Sequence, residues 1–339
     1  MTGGAHVAVV GATGAVGREM IATLARRSFP VGRMRLMASA RSAGQTMETP
    51  WGAVVVEDLA GADPAGLDVA LFSAGGDRSR SHARRFADAG AVVVDNSSAW
   101  RMEPDVPLVV VGVNDEAAAG HAGIIANPNC TTMTVMMAVG PLHKAAPLRS
   151  MTVASYQSVS GSGNSGIEEL LRQSAALRED VAGLQFGGWT DPGGDLYVRP
   201  IGWNVLPFAG SAGDEGYTDE EWKLVHETRK ILGAPEVKVE PTCVRVPVIV
   251  GHGIAATCWF DRPLAVTEAA ELIASAPGVE VWHDKVPTPL DSAGVDDVLV
   301  GRLRGTVGEP GGVSLWVVAD NLRKGAALNA VQIAELVTS

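Results

Sequence analysis

The chain has 339 residues, a formal net charge of −11 and an apolar fraction of 46%. Chains of this length usually fold around more than one hydrophobic core, so we expect two domains. The negative charge and the lack of a basic run argue against nucleic acid or an anionic membrane surface as a partner. No basic segment precedes the first apolar run, and no apolar run nears the roughly 18 residues that span a bilayer. We therefore expect a cytoplasmic protein.

The cysteines are three in number, with no close pairing: Cys130, Cys243 and Cys258. An odd, scattered set indicates neither a disulfide framework nor a zinc ribbon. No metal site is expected.

Short apolar runs alternate with helical stretches over about the first 130 residues. The runs are HVAVV, MRLMAS, AVVVE, VALFSA, AVVVDNS, LVVVGV and GIIAN. Such alternation predicts parallel strands joined by crossover helices, and hence an open α/β sheet.

From about Met151 the strand-like runs become longer and more closely spaced. They are SMTVASYQSVS, VKVEPTCVRVPVIVG, IAATCWFD and GVSLWVVAD. This change predicts a second domain with a mixed or antiparallel sheet. The stretch IEELLRQSAALRED predicts a helix, and SGSGNSG before it is either a flexible linker or a ligand loop. The final NLRKGAALNAVQIAELV predicts a helix that packs back on the first domain.

Gly11, Gly14 and Gly17 lie between an apolar strand and an amphipathic helix, in HVAVVGATGAVGREM. Glycines there permit a tight turn and let a pyrophosphate approach the helix N-terminus. A glycine triplet alone is weak evidence. Its place after a first strand and before a helix favours nucleotide binding over a merely tight turn.

The segment after the second predicted strand, LMASARSAG, contains no acidic residue. An acid near this place binds the ribose 2′-hydroxyl of NAD, whereas an arginine suits the 2′-phosphate of NADP. Ser39, Arg41 and Ser42 therefore favour NADP. The alternative is that Arg41 is a solvated surface side chain.

Cys130 follows the strand GIIAN and a proline, and precedes the helix-like TTMTVMMAVGPLHK. A cysteine without such context is more often buried for packing than reactive. At a helix start, backbone N–H groups and the helix dipole favour a thiolate and stabilise an oxyanion. We interpret Cys130 as a candidate nucleophile, and Cys243 and Cys258, which have apolar neighbours, as core residues.

His252 lies between glycines in VIVGHGIAA, which leaves its ring accessible to carry protons for a thiolate. The alternative is a turn histidine that only caps or packs. Arg245 is a charge inside an apolar strand and needs a partner or a ligand. An unbroken strand would place Arg245 and His252 on opposite faces, but Pro247 and Gly251 both permit a break.

Together the motifs resemble those of the aspartate-β-semialdehyde dehydrogenases, NADP-dependent enzymes that make aspartate semialdehyde from β-aspartyl phosphate. The resemblance covers nearly the whole chain. Its motifs are GATGAVGREM, FSAGG, VVDNSSAWRM, NPNCTT, SYQSVSGSG, DEEWK, VRVPVIVGHG and ADNLRKGAALNAVQI, in that order.

The resemblance implies three groups of site residues. The residues of the chemical step are the nucleophile Cys130, the acid/base His252 and Gln157, which orients the substrate. The substrate-binding residues are Arg245 for the carboxylate, Glu220 for the amino group, and Arg101, Asn129 and Lys223 for the phosphate. The NADP site is lined by Gly11, Thr13, Gly14, Ala15, Val16, Gly17, Ser39, Arg41, Ser42, Ser73, Ser160, Gly161 and Asn321.

Plainer interpretations of several of these residues stay open at this point. Glu220 and Lys223 form an i,i+3 pair such as any solvated helix carries, and Thr218 with Glu221 forms a possible capping box. Arg101 could be a surface residue.

The implied fold is α/β: a Rossmann-type NADP-binding domain of residues 1–129 and 321–339, and an α+β catalytic and dimerisation domain of residues 130–320. The implied activity is reversible, NADPH-dependent reductive dephosphorylation of L-aspartyl 4-phosphate in the biosynthesis of lysine, diaminopimelate, threonine, methionine and isoleucine. We expect small-molecule substrates and a homodimer, with a tetramer as the alternative. The alternative functions are an N-acetyl-γ-glutamyl-phosphate reductase, which has no use for Glu220, and a non-catalytic NADP-binding regulator.

Overall fold

The computed structural model describes residues 3–338. Its strands are β1 Ala5–Val10, β2 Val31–Ala38, β3 Thr46–Thr49, β4 Gly52–Asp58, β5 Val69–Phe72, β6 Val92–Asp95, β7 Ile124–Ala126, β8 Leu148–Gln157, β9 Lys238–Arg245, β10 His252–Phe260, β11 Val279–Trp282, β12 Val298–Gly305 and β13 Val313–Ala319. Its α-helices are α1 Ala15–Arg26, α2 Gly76–Asp88, α3 Cys130–Ala145, α4 Asn164–Arg178, α5 Val181–Phe186, α6 Asp219–Ile231, α7 Val266–Ala274, α8 Pro289–Ser292 and α9 Leu328–Thr338.

The chain divides into two units. Unit 1 consists of Met1–Gly140, His226–Pro235 and Leu322–Ser339, and unit 2 of Pro141–Val225 and Glu236–Asn321. The functional division predicted from sequence, with boundaries at 129/130 and 320/321, stays a prediction.

Unit 1 is built on a seven-stranded sheet in the order β3-β4-β2-β1-β5-β6-β7. All pairs are parallel except β3 with β4. Since β1 pairs with β2 on one side and β5 on the other, the strand order reverses there. In open α/β sheets, ligands bind beyond the carboxyl ends of the strands at such a reversal. The fold therefore predicts a ligand site at the loops that follow β1 and β5.

One predicted strand of unit 1 is wrong. In the run LVVVGV, residues 108–113, Leu108 makes an isolated bridge with Ala126, residues 109–110 are irregular and residues 111–113 form a turn. The Val109 N–H donates to the Ala126 carbonyl of β7 at 3.1 Å, but at the next two residues side chains are the acceptors. Asn114 Oδ1 accepts from the Val110 N–H at 2.8 Å, and Asn329 Oδ1 accepts from the Val111 N–H at 2.9 Å. The short β3 was not predicted.

The predicted C-terminal helix begins with a wider turn. Residues Arg323–Ala327 are π-helical, and the Ala327 N–H donates to the Leu322 carbonyl at 3.0 Å. The α-helical part, α9, packs against α1 and β6 in unit 1, as expected.

Lys324, within this π-helical turn, is 3% exposed. Its ammonium donates to the Val111 carbonyl at 2.8 Å, to Asn329 Oδ1 at 3.2 Å and to Gln332 Oε1 at 2.8 Å. Burial lowers the pKa of Lys324 to about 7. Asn329, near the start of α9, also donates to Asn127 Oδ1 at 2.7 Å, so the start of α9 is hydrogen-bonded to the segment preceding Cys130.

Unit 2 contains a six-stranded mixed sheet in the order β11-β12-β13-β10-β8-β9, which confirms the predicted sheet type. β10 is antiparallel to β8 and β13, whereas β8 is parallel to β9. The sequence did not predict β11 or β12. The predicted strand VKVEPTCVRVPVIVG, residues 237–251, is shorter than expected. β9 ends at Arg245, residues 246–251 form no strand, and His252 begins β10.

No helix among residues 3–338 is both long enough and apolar enough to cross a bilayer.

Candidate functional site

The loop after β1 has the steric features of a dinucleotide-binding turn. Gly11 has φ +87°, and a Cβ atom there would overlap the Ser73 carbonyl after β5. A Cβ atom at Gly17 would overlap the Gly11 carbonyl, so the third glycine lets α1 pack closely on the turn. Gly14, the N-cap of α1, is exposed, and the first turn of α1 contains no acidic residue. A phosphate group therefore fits at this helix N-terminus.

The other predicted NADP residues of unit 1 border this loop or follow the neighbouring strands. Thr13, Ala15 and Val16 are partly exposed. Ser39 and Ser42 form a turn after β2, closed by a 2.8 Å bond from the Ser42 N–H to the Ser39 carbonyl, with Arg41 exposed within it. An exposed Arg41 suits a 2′-phosphate, and it is equally consistent with the surface alternative.

Cys130 is the first residue of α3, as predicted. Asn129 caps the helix, because its Oδ1 accepts from the N–H groups of Thr131 at 2.9 Å and Thr132 at 3.3 Å. Cys130 is partly exposed, whereas Cys243 and Cys258 are fully buried. Burial raises the pKa of each of those two thiols to about 12, which keeps them protonated and unreactive.

Arg101 is buried at 7% exposure, so its interpretation as a surface residue is wrong. Its guanidinium forms an ion pair with Glu227 at 3.0 Å. It also donates from Nε to the Asn127 carbonyl at 2.9 Å and from Nη2 to the Asn96 carbonyl at 3.0 Å. The predicted phosphate ligand is thus held next to the segment that leads into Cys130.

In unit 2, strand ends bring three predicted residues to one edge of the sheet. Alternate residues of β8 are buried, and Gln157 ends that strand. Arg245 ends the parallel β9 and is the register partner of Gln157. His252 begins the antiparallel β10, whose Gly253 is paired with Tyr156 of β8.

Gln157 and the start of α6 form an acid-centred cluster. Glu220 accepts from Gln157 Nε2 at 3.0 Å through Oε1 and from Lys223 Nζ at 2.9 Å through Oε2. Burial lowers the pKa of Lys223, but the carboxylates of Glu220 and Asp219 outweigh it, so the net pKa is raised. Glu220 is 8% exposed, which distinguishes this pair from one on a solvated helix face.

The start of α6 is fixed by a capping box, as predicted. The Thr218 N–H donates to Glu221 Oε2 at 2.7 Å, and the Glu221 N–H donates to Thr218 Oγ1 at 3.3 Å.

Arg245 and His252 both form hydrogen bonds with Ser158. Arg245 Nη1 donates to the Ser158 carbonyl at 2.8 Å, and the Ser158 N–H donates to His252 Nδ1 at 3.1 Å. Because Nδ1 is an acceptor, the neutral ring carries its proton on Nε2. His252 is fully buried, so the prediction that its glycine neighbours leave the ring accessible is wrong. Burial and, second, the Arg245 charge lower the pKa of His252 to about 3, so the ring is neutral near pH 7.

Arg245 keeps an unused donor. Its Nε is buried without a hydrogen-bond partner among residues 3–338, and the guanidinium carbon lies 6.0 Å from the Tyr197 ring centre. A buried donor without a partner is energetically costly, so this Nε–H favours the binding of a ligand that supplies an acceptor.

Ser160, Gly161 and Asn321 lie beside Arg245 and His252. Asn321 Oδ1 accepts from Gly251 N–H at 2.9 Å, and its Nδ2 donates to Ser160 Oγ at 2.9 Å. A Cβ atom at Gly161 would lie 3.2 Å from Arg245 Nη1 and 3.8 Å from His252 Nε2. Val159–Ser162 is a 3₁₀ helix and α4 begins at Asn164, so SGSGNSG is an ordered turn and not a flexible linker.

Sequence reasoning missed Ser158, Tyr197 and Glu227. The one available signal for Glu227 was its place in α6, seven residues after Glu220. Among residues 3–338, no group of three or more His, Cys, Asp or Glu side chains could hold a metal ion.

Comparisons with known proteins bear on this arrangement over the full chain. Residues 6–121 match the NAD-binding domain of semialdehyde dehydrogenases, and residues 139–324 match their dimerisation domain. The chain is 52% identical over 341 residues to the aspartate-semialdehyde dehydrogenase of Streptomyces akiyoshiensis, with 98% of each chain covered. It is 49% identical to that of Mycolicibacterium smegmatis, covering 98% of this chain and 99% of the relative.

The chain belongs to the aspartate-semialdehyde dehydrogenase family.

Solved structures of the family share the fold. Aspartate semialdehyde dehydrogenase II of Vibrio cholerae has a TM-score of 0.92 at 42% identity, covering 99% of this chain and 98% of that one. The enzyme of Candida albicans, solved with NADP, has a TM-score of 0.74 at 26% identity, covering 98% of both chains. The predicted family and α/β fold class are confirmed, and the chain is an oxidoreductase of this family. The dimerisation-domain match supports the predicted self-association.

Proposed function

We propose that this protein converts L-aspartyl 4-phosphate to L-aspartate 4-semialdehyde, reversibly and with NADPH, in the biosynthesis of lysine, threonine, methionine and isoleucine. The observation that carries the proposal is the partly exposed Cys130 at the capped start of α3, in a chain 52% identical to a named relative. Relatives over the full length carry the aspartate-semialdehyde name, which favours this reaction over the N-acetyl-γ-glutamyl-phosphate alternative.

Cys130 is the nucleophile in this proposal. Its thiolate attacks the carbonyl carbon of the acyl phosphate, a C–S bond forms, the C–O bond to phosphate breaks, and a thioester results. The N–H groups at the start of α3 stabilise the oxyanion that forms on the way. After reduction, collapse of the thiohemiacetal releases the aldehyde and returns the thiolate.

His252 holds a proton at Nε2. Since its pKa is lowered to about 3, the group at work near pH 7 is a neutral imidazole, which donates from Nε2 while Nδ1 is fixed by Ser158. A donor at Nε2 stabilises a substrate oxygen that gains negative charge during the reaction.

The other residues bind and orient the substrate. Arg245, with its unused Nε, takes the substrate carboxylate, and Glu220 takes the amino group while orienting Gln157. The phosphate group is bound by Arg101, Asn129 and Lys223.

NADP fits the residues present. The overlaps that a side chain at Gly11 or Gly17 would cause, and the exposed Gly14, leave the turn accessible to a pyrophosphate. When bound, the cofactor supplies the hydride that reduces the thioester. The residues that would hold it are Thr13 to Gly17, Ser39, Arg41, Ser42, Ser73, Ser160, Gly161 and Asn321, with residues 1–129 and 321–339 as the principal NADP-binding domain.

A homodimer, with a tetramer as the alternative, and a cytoplasmic location complete the proposal. The match of residues 139–324 to a dimerisation domain supports the dimer. Light scattering after size-exclusion chromatography measures the assembly, and cell fractionation measures the location.

The test is NADPH formation from aspartate semialdehyde, inorganic phosphate and NADP by the purified protein. Parallel reactions replace NADP with NAD, or the substrate with N-acetylglutamate semialdehyde. We expect phosphate-dependent turnover with NADP and little with the acetylated aldehyde. Binding of NADP without turnover would instead support a non-catalytic regulator.

A further inference from the structure

Glu227 is a buried acid that has no role in the proposed chemistry. It lies in the second half of α6 and is 2% exposed. Its two carboxylate oxygens have different partners: Oε1 pairs with Arg101 Nη1 at 3.0 Å, and Oε2 accepts from the Asn129 N–H at 2.7 Å. All three residues belong to unit 1. One carboxylate thus bridges a predicted phosphate ligand and the residue that precedes Cys130.

Three hydrogen bonds, one of them to Glu227, fix the plane of the Arg101 guanidinium. Of the five N–H groups of an arginine, three are used by the described protein, through the Asn127 carbonyl, the Asn96 carbonyl and Glu227. One N–H on each terminal nitrogen is left for an anion. A planar guanidinium held in this way loses little freedom when it binds phosphate.

The backbone of Arg101 is held from the same helix. Lys230, one turn after Glu227 in α6, donates from Nζ to the carbonyls of Arg101 at 2.7 Å, Glu103 at 2.7 Å and Val106 at 2.8 Å. Glu227 therefore orients the side chain of a residue whose loop is already fixed.

We propose that Glu227 is a positioning residue for the phosphate of the substrate, acting through Arg101 and the Asn129 amide without touching the substrate. The inference rests on the proposed function, because it presumes that Arg101 binds phosphate. Without Glu227, Arg101 would keep only its bonds to the Asn127 and Asn96 carbonyls, its guanidinium would be held less firmly, and its buried charge would be uncompensated. Loss of Glu227 then weakens phosphate binding specifically.

The substitution that tests this is Glu227→Gln, which keeps the shape but removes the charge. The new amide nitrogen would face an N–H donor of Arg101 or Asn129, so at least one of the two bonds is lost. We expect the KM for phosphate to rise about tenfold, while the KM for aspartate semialdehyde changes by less than about twofold. In a protein that already carries Arg101→Lys, Glu227→Gln should raise the KM for phosphate little further, because the planar guanidinium that Glu227 orients is absent.

A matched control is Glu335→Gln, which removes a carboxylate from the Arg27 ion pair in unit 1, at 2.7 Å. Its kinetics should equal those of the wild type. A second readout needs no turnover: inorganic phosphate should raise the melting temperature of the wild type and of Glu335→Gln, but much less that of Glu227→Gln.

Two results for the Glu227→Gln variant overturn the inference. One is a KM for phosphate and a phosphate-induced melting shift that both equal those of the wild type. The other is an equal rise of the KM values for aldehyde, phosphate and NADP, which indicates general loosening. A wild type that binds phosphate but forms no NADPH contradicts the proposed function, and the melting shift still decides the role of Glu227. A wild type that shows no phosphate effect in either assay overturns the inference as well.

Discussion

The two units hold their buried arginines in different ways. In unit 1, Arg101 is neutralised by Glu227 and gives three N–H groups to the protein. In unit 2, no ion pair of Arg245 occurs among residues 3–338, and its Nε has no partner there. The first guanidinium is fixed in advance and its charge is compensated, whereas the second keeps charge and donors for a ligand. We expect the first to govern how a phosphate is oriented and the second to govern how strongly a carboxylate is bound.

Cys130→Ser should have the largest effect and isolates chemistry from binding. An alkoxide is far harder to form than a thiolate near neutral pH, so turnover should be abolished, whereas NADP binding should not change. NADPH formation and an NADP titration followed by tryptophan fluorescence measure the two effects. Retention of more than about a tenth of the activity would refute the nucleophile assignment.

Arg245→Lys and Arg101→Lys test the comparison directly. Lysine keeps the charge but lacks the planar fork that binds a carboxylate or phosphate through two hydrogen bonds. Arg245→Lys should raise the KM for aspartate semialdehyde about tenfold or more and lower kcat, because the misplaced carbonyl no longer faces the nucleophile. The KM for phosphate should stay the same.

Arg101→Lys should show the opposite pattern, with a raised KM for phosphate and a KM for the aldehyde near that of the wild type. Steady-state kinetics with each substrate varied in turn measure both variants. If both raise the same KM, the two arginines are not specialised.

Arg41→Asp should have a smaller effect, on cofactor preference alone. The change removes a cation suited to a 2′-phosphate and supplies an acceptor for a ribose hydroxyl. We expect the ratio of kcat/KM for NADP to that for NAD to fall about tenfold or more, since roughly one charge-assisted contact is lost. An unchanged ratio would identify Arg41 as a surface side chain.

Lys324→Met should affect only stability, and it extends the comparison to a third buried cation. The folded pKa of Lys324 is lowered to about 7, so the unfolded chain binds more protons from there up to the ordinary lysine pKa of about 10.4. Wild-type stability therefore rises with pH in this window, relative to the variant, by at most about 1.4 kcal/mol per pH unit. Urea unfolding at several pH values measures the difference. A pH-independent difference would show that the ammonium stays charged.

Local sequence features were enough to predict the elements that depend on neighbours in the chain. The glycine turn before α1, the start of α3 at Cys130 and the break between Arg245 and His252 all follow from residues within a few positions. By contrast, LVVVGV is apolar like a strand, but two of its backbone N–H groups donate to side chains, one of which is Asn329, more than 200 positions away.

The supporting residues of the site were harder to predict for the same reason. A glutamate on an amphipathic helix normally faces water, and nothing near Glu227 in the sequence indicates that its partner is Arg101, 126 positions earlier. Ser158 contacts His252 through its backbone N–H and its hydroxyl, but the two residues are 94 positions apart in the chain. The sequence therefore predicts the reacting groups better than the groups that orient them.

The π-helical turn at Arg323–Ala327 makes the length of this segment matter more than its composition. A π turn contains one residue more than the corresponding α turn. Deleting one of these five residues would rotate α9 by about 100° relative to the chain before it, since an α-helix has about 3.6 residues per turn. Asn329 would then turn away from Asn127, to which it donates at 2.7 Å. Natural relatives should consequently tolerate substitutions within this segment far better than single-residue insertions or deletions.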